Sequence, residues 1–148
     1  MKKSLFSLFV AIIAILVPTT IQAQEYKGLP QNAKTYISKH FKDYSINHYE
    51  KDRDILDVEH TVYISNTKQS YKLEFDKNGS LQQIEAMSEN GALPNSVLQV
   101  KVTEHVKQNF PGRKIVQWQK ENNKQKIELD NDLELLFNSK GSFLGIDD

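Results

Sequence analysis

From Leu29 to Ile46 the chain reads LPQNAKTYISKHFKDYSI, and its apolar positions recur with helical spacing. Ala33, Tyr36, Ile37, His40 and Phe41 stand at i, i+3, i+4, i+7 and i+8, which is one face of an amphipathic helix. Pro30 precedes them, at a position where a missing N–H costs nothing. A second stretch, LPNSVLQVKVTEHVKQNFPGRKI from Leu93 to Ile115, also opens on Leu-Pro. Leu98, Val102, Val106 and Phe110 form a four-residue row, predicting a second helix that ends at Pro111-Gly112. This copy holds five more residues between Leu-Pro and Phe, so the second helix is expected to be the longer. Val97, Val100 and Val102 are β-branched and weaken its early turns.

After each helix the period changes from about 3.6 to about 2. Val62 and Ile64 alternate with polar or amphipathic neighbours, and Tyr71, Leu73 and Phe75 alternate with Lys72 and Glu74. Ile127 and Leu129 alternate with Lys126 and Glu128, and Leu133, Leu135 and Phe137 with Glu134 and Leu136. That alternation predicts antiparallel strands with one buried face. Asn78-Gly79 and Lys140-Gly141 fit hairpin turns, and Asn131-Asp132 fits another tight turn. The phrase FDKNGSLQQIEA at Phe75 is echoed by FNSKGSFLGIDD at Phe137. The expectation is an α+β fold of two tandem repeats, residues about 26–86 and 91–148. Each repeat is one helix packed on a four-stranded antiparallel sheet, and the two join at sheet edges or through the helices. The link MSENGALP is too short for independent tumbling.

The first 23 residues stand apart from this pattern. Lys2 and Lys3 precede an apolar run from Leu5 to Val17, followed by Pro18 and the small residue Ala23. That is the order of a secretory signal peptide, with cleavage between Ala23 and Gln24. The run is about 13 residues, short of the ~20 that span a bilayer, so no membrane span is expected after cleavage. The mature domain is then residues 24–148, exported to the periplasm or secreted. The chain has no cysteine, so core burial alone must hold it together outside the cell. Without Lys2 and Lys3 the charge is 17 basic against 19 acidic residues, a net of −2. That balance gives no basic surface for nucleic acid.

The doubled Leu-Pro, the Phe41 and Phe110 helix ends and the two Phe-x-x-x-Gly-Ser hairpins carry a family resemblance. With the signal peptide, they make the chain resemble the PepSY-like, β-lactamase-inhibitor-like family of small exported bacterial proteins. The resemblance covers about Tyr26 to Asp148. It implies tandem helix-plus-four-strand units and binding across an open sheet face. It carries over no catalytic residue. The inhibitor proteins use disulfides that this chain lacks, so the resemblance is one of shape.

Candidate chemistry is sparse. His40, His48, His60 and His105 form no metal-ligand motif, and a metal site needs three or four converging ligands. His40 lies on the apolar stripe of the first helix and reads as a packed residue. No nucleophile-elbow motif is present, and a thiol nucleophile is excluded. Asp147-Asp148 reads as a solvated terminus. No catalytic, cofactor-binding or metal residue is expected, and no enzyme activity.

The polar strand face is the more informative set. Lys72, Glu74, Lys126 and Glu128 are expected to point outward, and Tyr63 has the parity opposite to Val62 and Ile64. Trp118, in IVQWQKE, has ambiguous parity: it is either core or a second aromatic anchor beside Tyr63. The expected function is a non-enzymatic binding module, inhibitor-like in shape, contacting an envelope or extracellular protein through this face. The alternative is a small-ligand or metal sensor using the groove between the repeats. Intact mass and N-terminal sequencing of the exported protein should give Gln24 as its first residue; retention of residues 1–23 would overturn the signal-peptide reading.

Overall fold

The computed structural model describes residues 26–54 and 57–147; the signal segment and its cleavage site lie outside the described residues. Helix α1 (Gln31–His40) leads into four strands, β1 (Ser45–Arg53), β2 (Val58–Ser65), β3 (Ser70–Phe75) and β4 (Leu81–Ala86). A short 3₁₀ turn (Asn95–Val97) and helix α2 (Val100–Asn109) follow. Then come β5 (Ile115–Glu121), β6 (Lys124–Leu129), β7 (Glu134–Asn138) and β8 (Phe143–Asp147). All eight strands form one antiparallel sheet in sequence order, β1 through β8. The sheet is continuous across α2, because β4, before that helix, pairs with β5, after it.

The two helices are anchored alike. Ala33 and Ile37 of α1 and Val102 and Val106 of α2 are buried, at the same i, i+4 spacing. Each helix ends on a phenylalanine whose N–H bonds four residues back, Phe41 to the Ile37 carbonyl and Phe110 to the Val106 carbonyl, 2.8 Å each. Tyr36 meets the Phe75 ring edge-on, and His105 meets Phe137 in the same way. Neither helix has a side-chain cap. Instead Asn32 Nδ2 donates to the Asn78 carbonyl and Gln99 Nε2 to the Ser139 carbonyl, 3.0 Å each. Each of these bonds ties the start of a helix to a hairpin.

Those hairpins are the repeated phrase of the sequence. Asp76 Oδ1 accepts from the N–H of Asn78 and Ser80, and Asn138 Oδ1 from the N–H of Lys140 and Ser142. Gly79 and Gly141 both sit at φ +80°, where a Cβ is strained. A Cβ on Gly79 would lie 2.8 Å from the Ala33 nitrogen and 2.8 Å from Pro30 Cβ. The glycine thus both turns the hairpin and makes room for the helix.

One expectation fails. The two helices are of equal length, ten residues each. The five extra residues after Leu93-Pro94 do not lengthen α2; they form the 3₁₀ turn and then straighten, with Leu98 at φ −109°, ψ 153° and Gln99 at φ −73°, ψ 139°. Two of the three β-branched valines are accounted for by this break, since Val97 ends the 3₁₀ turn and Val100 opens the helix. The two Leu-Pro pairs are therefore not structurally matched: Pro30 immediately precedes α1, while Pro94 lies six residues before Val100.

The register slips recur at matched places. β1–β2 slips between Ile46 and His48 and β5–β6 between Ile115 and Gln117. β3–β4 slips between Glu74 and Phe75 and β7–β8 between Leu136 and Phe137. Each slip is a β-bulge, which re-aims the strand without ending its pairing.

The glycines give a graded stability test. Gly112 also has positive φ, +82°, but a Cβ there meets nothing within 4 Å. Gly112→Ala should cost about 1–2 kcal/mol from backbone strain alone. Gly79→Ala adds an overpacking cost against rigid backbone and should lose about 2–5 kcal/mol. Gly141→Ala should fall between them, because its nearest contact is the movable Gln99 Oε1 at 2.6 Å. Urea denaturation of the three variants checks this order.

Candidate functional site

Because successive side chains of a strand alternate between faces, the register sorts the sheet into rows. One row runs Tyr49, Val62, Leu73, Ile84, Trp118, Ile127, Leu135, Ile146, crossing all eight strands on the side that carries the helices. Val62, Leu73, Ile84, Ile127 and Leu135 are fully buried and form the middle of the core. Two polar rows cross the opposite, outer face. The first runs His48, Tyr63, Lys72, Glu85, Gln117, Glu128, Glu134, Asp147. The second runs Glu50, Thr61, Glu74, Gln83, Gln119, Lys126, Leu136, Gly145.

Five of the six expected partner residues lie together in these outer rows. Tyr63 faces Lys72 directly, Glu74 is two residues along the same strand, and Lys126 and Glu128 stand across the β4–β5 junction. Trp118 does not join them. Its register neighbours are Ile84 and Ile127, so it belongs to the helix side, where its indole N–H donates to Gln125 Oε1 at 2.7 Å. The bulge at Val116 is the cause: one extra residue in β5 moves Trp118 to the core parity. Tyr49 and His60 hold the same relation in the first half, with Tyr49 Oη and His60 Nδ1 2.9 Å apart. His60 is buried, and burial first, then Lys51, pulls its pKa down.

The outer face is electrically uneven. Lys72 is raised in pKa, chiefly by its hydrogen bond with Glu74. Lys126 is raised chiefly by Glu134, 3.2 Å away, and also reaches toward Glu121 at 3.6 Å and Asp147 at 3.9 Å. Asp147 thus ends strand β8, half-exposed at the rim of this charge network, and Asp148 lies outside the described residues. Glu128 stands directly opposite Glu134 with Glu85 in the same row. Its pKa is raised, first by burial and then by Glu134, Asp132 and Glu85. The two lysines of these rows thus stand among a larger set of carboxylates.

Gln83, Glu85, Gln117 and Gln119, at the centre of the face, escaped sequence reasoning. They carry no motif, and their placement depends on which edge β4 offers to β5. Among the described residues, no three His, Asp or Glu side chains converge as a metal site. A hollow of about 630 Å³ lies beside α1 and the start of β1, lined by Tyr26, Lys34, Ile37, Phe41 and Tyr44 among others. The hollow at the junction of the halves, around Ala86, Gly91 and Val116, is smaller, about 270 Å³. Among the described residues no helix is long and apolar enough to cross a membrane.

The sequence matches the family described as "Putative beta-lactamase-inhibitor-like, PepSY-like" over residues 17–83 and 59–145. No curated protein matches it. Among solved structures it is similar to a "putative periplasmic protein of unknown function" from Bacteroides vulgatus, at 25% identity and TM-score 0.71 over 81% of this chain and 92% of that one. A "putative calcium-regulated periplasmic protein" from Bacteroides thetaiotaomicron gives 25% identity and TM-score 0.71, over 81% of this chain and 91% of that one. A second periplasmic protein from Bacteroides vulgatus, again described as putative, gives 28% identity and TM-score 0.68 over 81% and 91%.

Glu128 supplies the test of the outer-face electrostatics. The folded protein holds its proton more tightly than the unfolded chain does. The stability tied to that proton is fully present below the ordinary glutamate pKa and is lost as pH rises through the raised one. Glu128→Gln keeps a neutral side chain at every pH. At neutral pH it should melt at or above the wild type, and the gap should close below about pH 4. A variant melting clearly lower at neutral pH would show that the Lys126 contact outweighs the repulsion.

Proposed function

This chain belongs to the PepSY-like, β-lactamase-inhibitor-like family, and on that basis we propose that it is an exported, non-enzymatic module that binds another envelope protein through the outer face of its sheet. The observation that carries this reading is the outer face itself. It runs without interruption across eight strands, and both helices lie on the opposite side. Tyr63 offers an aromatic anchor beside Lys72, and Glu85, Glu128 and Glu134 offer carboxylates in one row. A partner with a basic patch would relieve the repulsion around Glu128. Residues 1–23 would serve as the export signal, with residues 24–148 forming two repeats (about 26–86 and 91–148) of one helix on four strands. The periplasmic descriptions of the similar Bacteroides structures support an envelope location.

A second reading, a periplasmic sensor of a small ligand or metal, is favoured by one observation. The similar Bacteroides thetaiotaomicron protein is described as a "putative calcium-regulated periplasmic protein". On this reading the hollows beside α1 and at the junction of the halves are the places to look.

The deciding experiment is crosslinking of the tagged chain in its native host, followed by mass spectrometry. Recovery of one abundant envelope protein is expected. A Tyr63→Ala, Lys72→Glu double variant should weaken that association at least about tenfold, or ~1.4 kcal/mol. Trp118→Phe, on the helix side, should leave it intact. A preparation without any partner would overturn the protein-binding reading. A calcium-dependent rise in melting temperature in that same preparation would favour the sensor.

A further inference from the structure

Among the described residues the sheet has two free edges, and they differ in character. β1 carries His48, Glu50, Lys51, Asp52 and Arg53. β8 is short and apolar, with Phe143, Leu144 and Ile146 exposed at 39%, 52% and 50%. An apolar edge with unpaired backbone groups is a template for another strand.

Inside the chain, the matching edge already has its strand. β4 follows a register slip against β3 as β8 does against β7, so Gln83, Ile84 and Glu85 stand where Gly145, Ile146 and Asp147 stand. The edge of β4 accepts β5 through Gln83↔Gln119, Ile84↔Trp118 and Glu85↔Gln117. The slip after Gln82 does not prevent that pairing, so the equivalent slip after Leu144 need not. β1 in turn matches β5: counting from their slips, His48, Tyr49 and Glu50 stand where Gln117, Trp118 and Gln119 stand. Even the approach is alike. The Ile46 carbonyl is taken by Tyr26 Oη at 2.6 Å, and the Ile115 carbonyl by the Leu93 N–H at 2.8 Å.

We propose that copies of this chain associate head to tail, β8 of one pairing antiparallel with β1 of the next in the register of the β4–β5 junction. That register sets Asp147 opposite His48, Ile146 opposite Tyr49 and Gly145 opposite Glu50. The apolar row that begins at Tyr49 and ends at Ile146 then continues from one copy into the next. An acid meets an imidazole on the outer face. Gly145 leaves space opposite Glu50, since a Cβ there would meet nothing within 4 Å. Each copy offers one edge of each kind, so the contact is heterologous and extends the sheet. Inside the chain β4 and β5 are covalently joined through residues 87–114, which include α2, and this raises their effective concentration; between copies that help is missing, so the association is weak.

The absence of cysteine makes the register directly testable. Gly145→Cys and Glu50→Cys are made separately in the mature chain, and each is checked for a wild-type melting temperature. Directly opposed strand positions lie within reach of a disulfide. Oxidation of the mixed variants at high protein concentration should give a 145–50 disulfide between copies. Adding Ile146→Lys to the Gly145→Cys chain should abolish it. In sedimentation velocity the wild type should sediment faster as concentration rises, while Ile146→Lys alone stays monomeric. Disulfides joining 145 only to 145, or a wild type that stays monomeric throughout, would overturn the proposal. If a cysteine variant fails to fold, the wild-type and Ile146→Lys sedimentation pair still decides.

Discussion

Three residue pairs between β4 and β5 hold the sheet together as one object. Ile84 against Trp118 supplies the apolar contact, and Gln83–Gln119 and Glu85–Gln117 flank it on the outer side. A strand's side chains alternate with a period of two, so a slip of one residue here would turn a whole half of the molecule inside out. It would bring Gln117 and Gln119 onto the core side and put Trp118 in solvent. With the register as it is, the apolar row passes from Val62 to Leu135 through the half-buried Trp118, and its other members are fully buried.

The same constraint separates two chemistries. On the helix side, polar side chains in the core are few and mostly matched, with Gln69 Oε1 the buried exception among the described residues. Trp118 donates to Gln125, which in turn donates to the Asn138 carbonyl at 2.9 Å, and Tyr49 meets His60. Buried polar groups left without partners would be costly, and these pairs avoid that cost. On the outer side, charges crowd without full compensation, and Lys126 is shared among three acids. A surface whose like charges along Glu128 and Glu134 are relieved only in part, by Lys126, is better suited to a partner than to stability.

The hairpins show how a short phrase of sequence can specify its own geometry. Gly79 and Gly141 are needed because the turn demands positive φ, and Asp76 and Asn138 because a side-chain acceptor must satisfy two turn N–H groups. Both requirements are local, so both are legible in the residues themselves. The alternations around Leu73 and Ile127 are legible for a similar reason: one buried face imposes period two on the chain.

Features that depend on distant residues are not legible in this way. Equal helix lengths follow from how Gln99 and Val102 meet the hairpin at Gly141, some forty residues away, and not from the Leu-Pro that seemed to start α2. The side taken by Trp118 turns on a single bulged residue, Val116, whose position is set by pairing with β6. The centre of the outer face, Gln83, Glu85, Gln117 and Gln119, exists only because two strand edges from different halves pair. Periodicity and backbone chemistry within a few residues were enough to specify β2, β3, β6 and β7 with their buried parity, and the turns at Gly79, Asp132 and Gly141. Register, bulge placement and the composition of the exposed face were settled by long-range packing, because each is a choice between nearly equivalent local geometries.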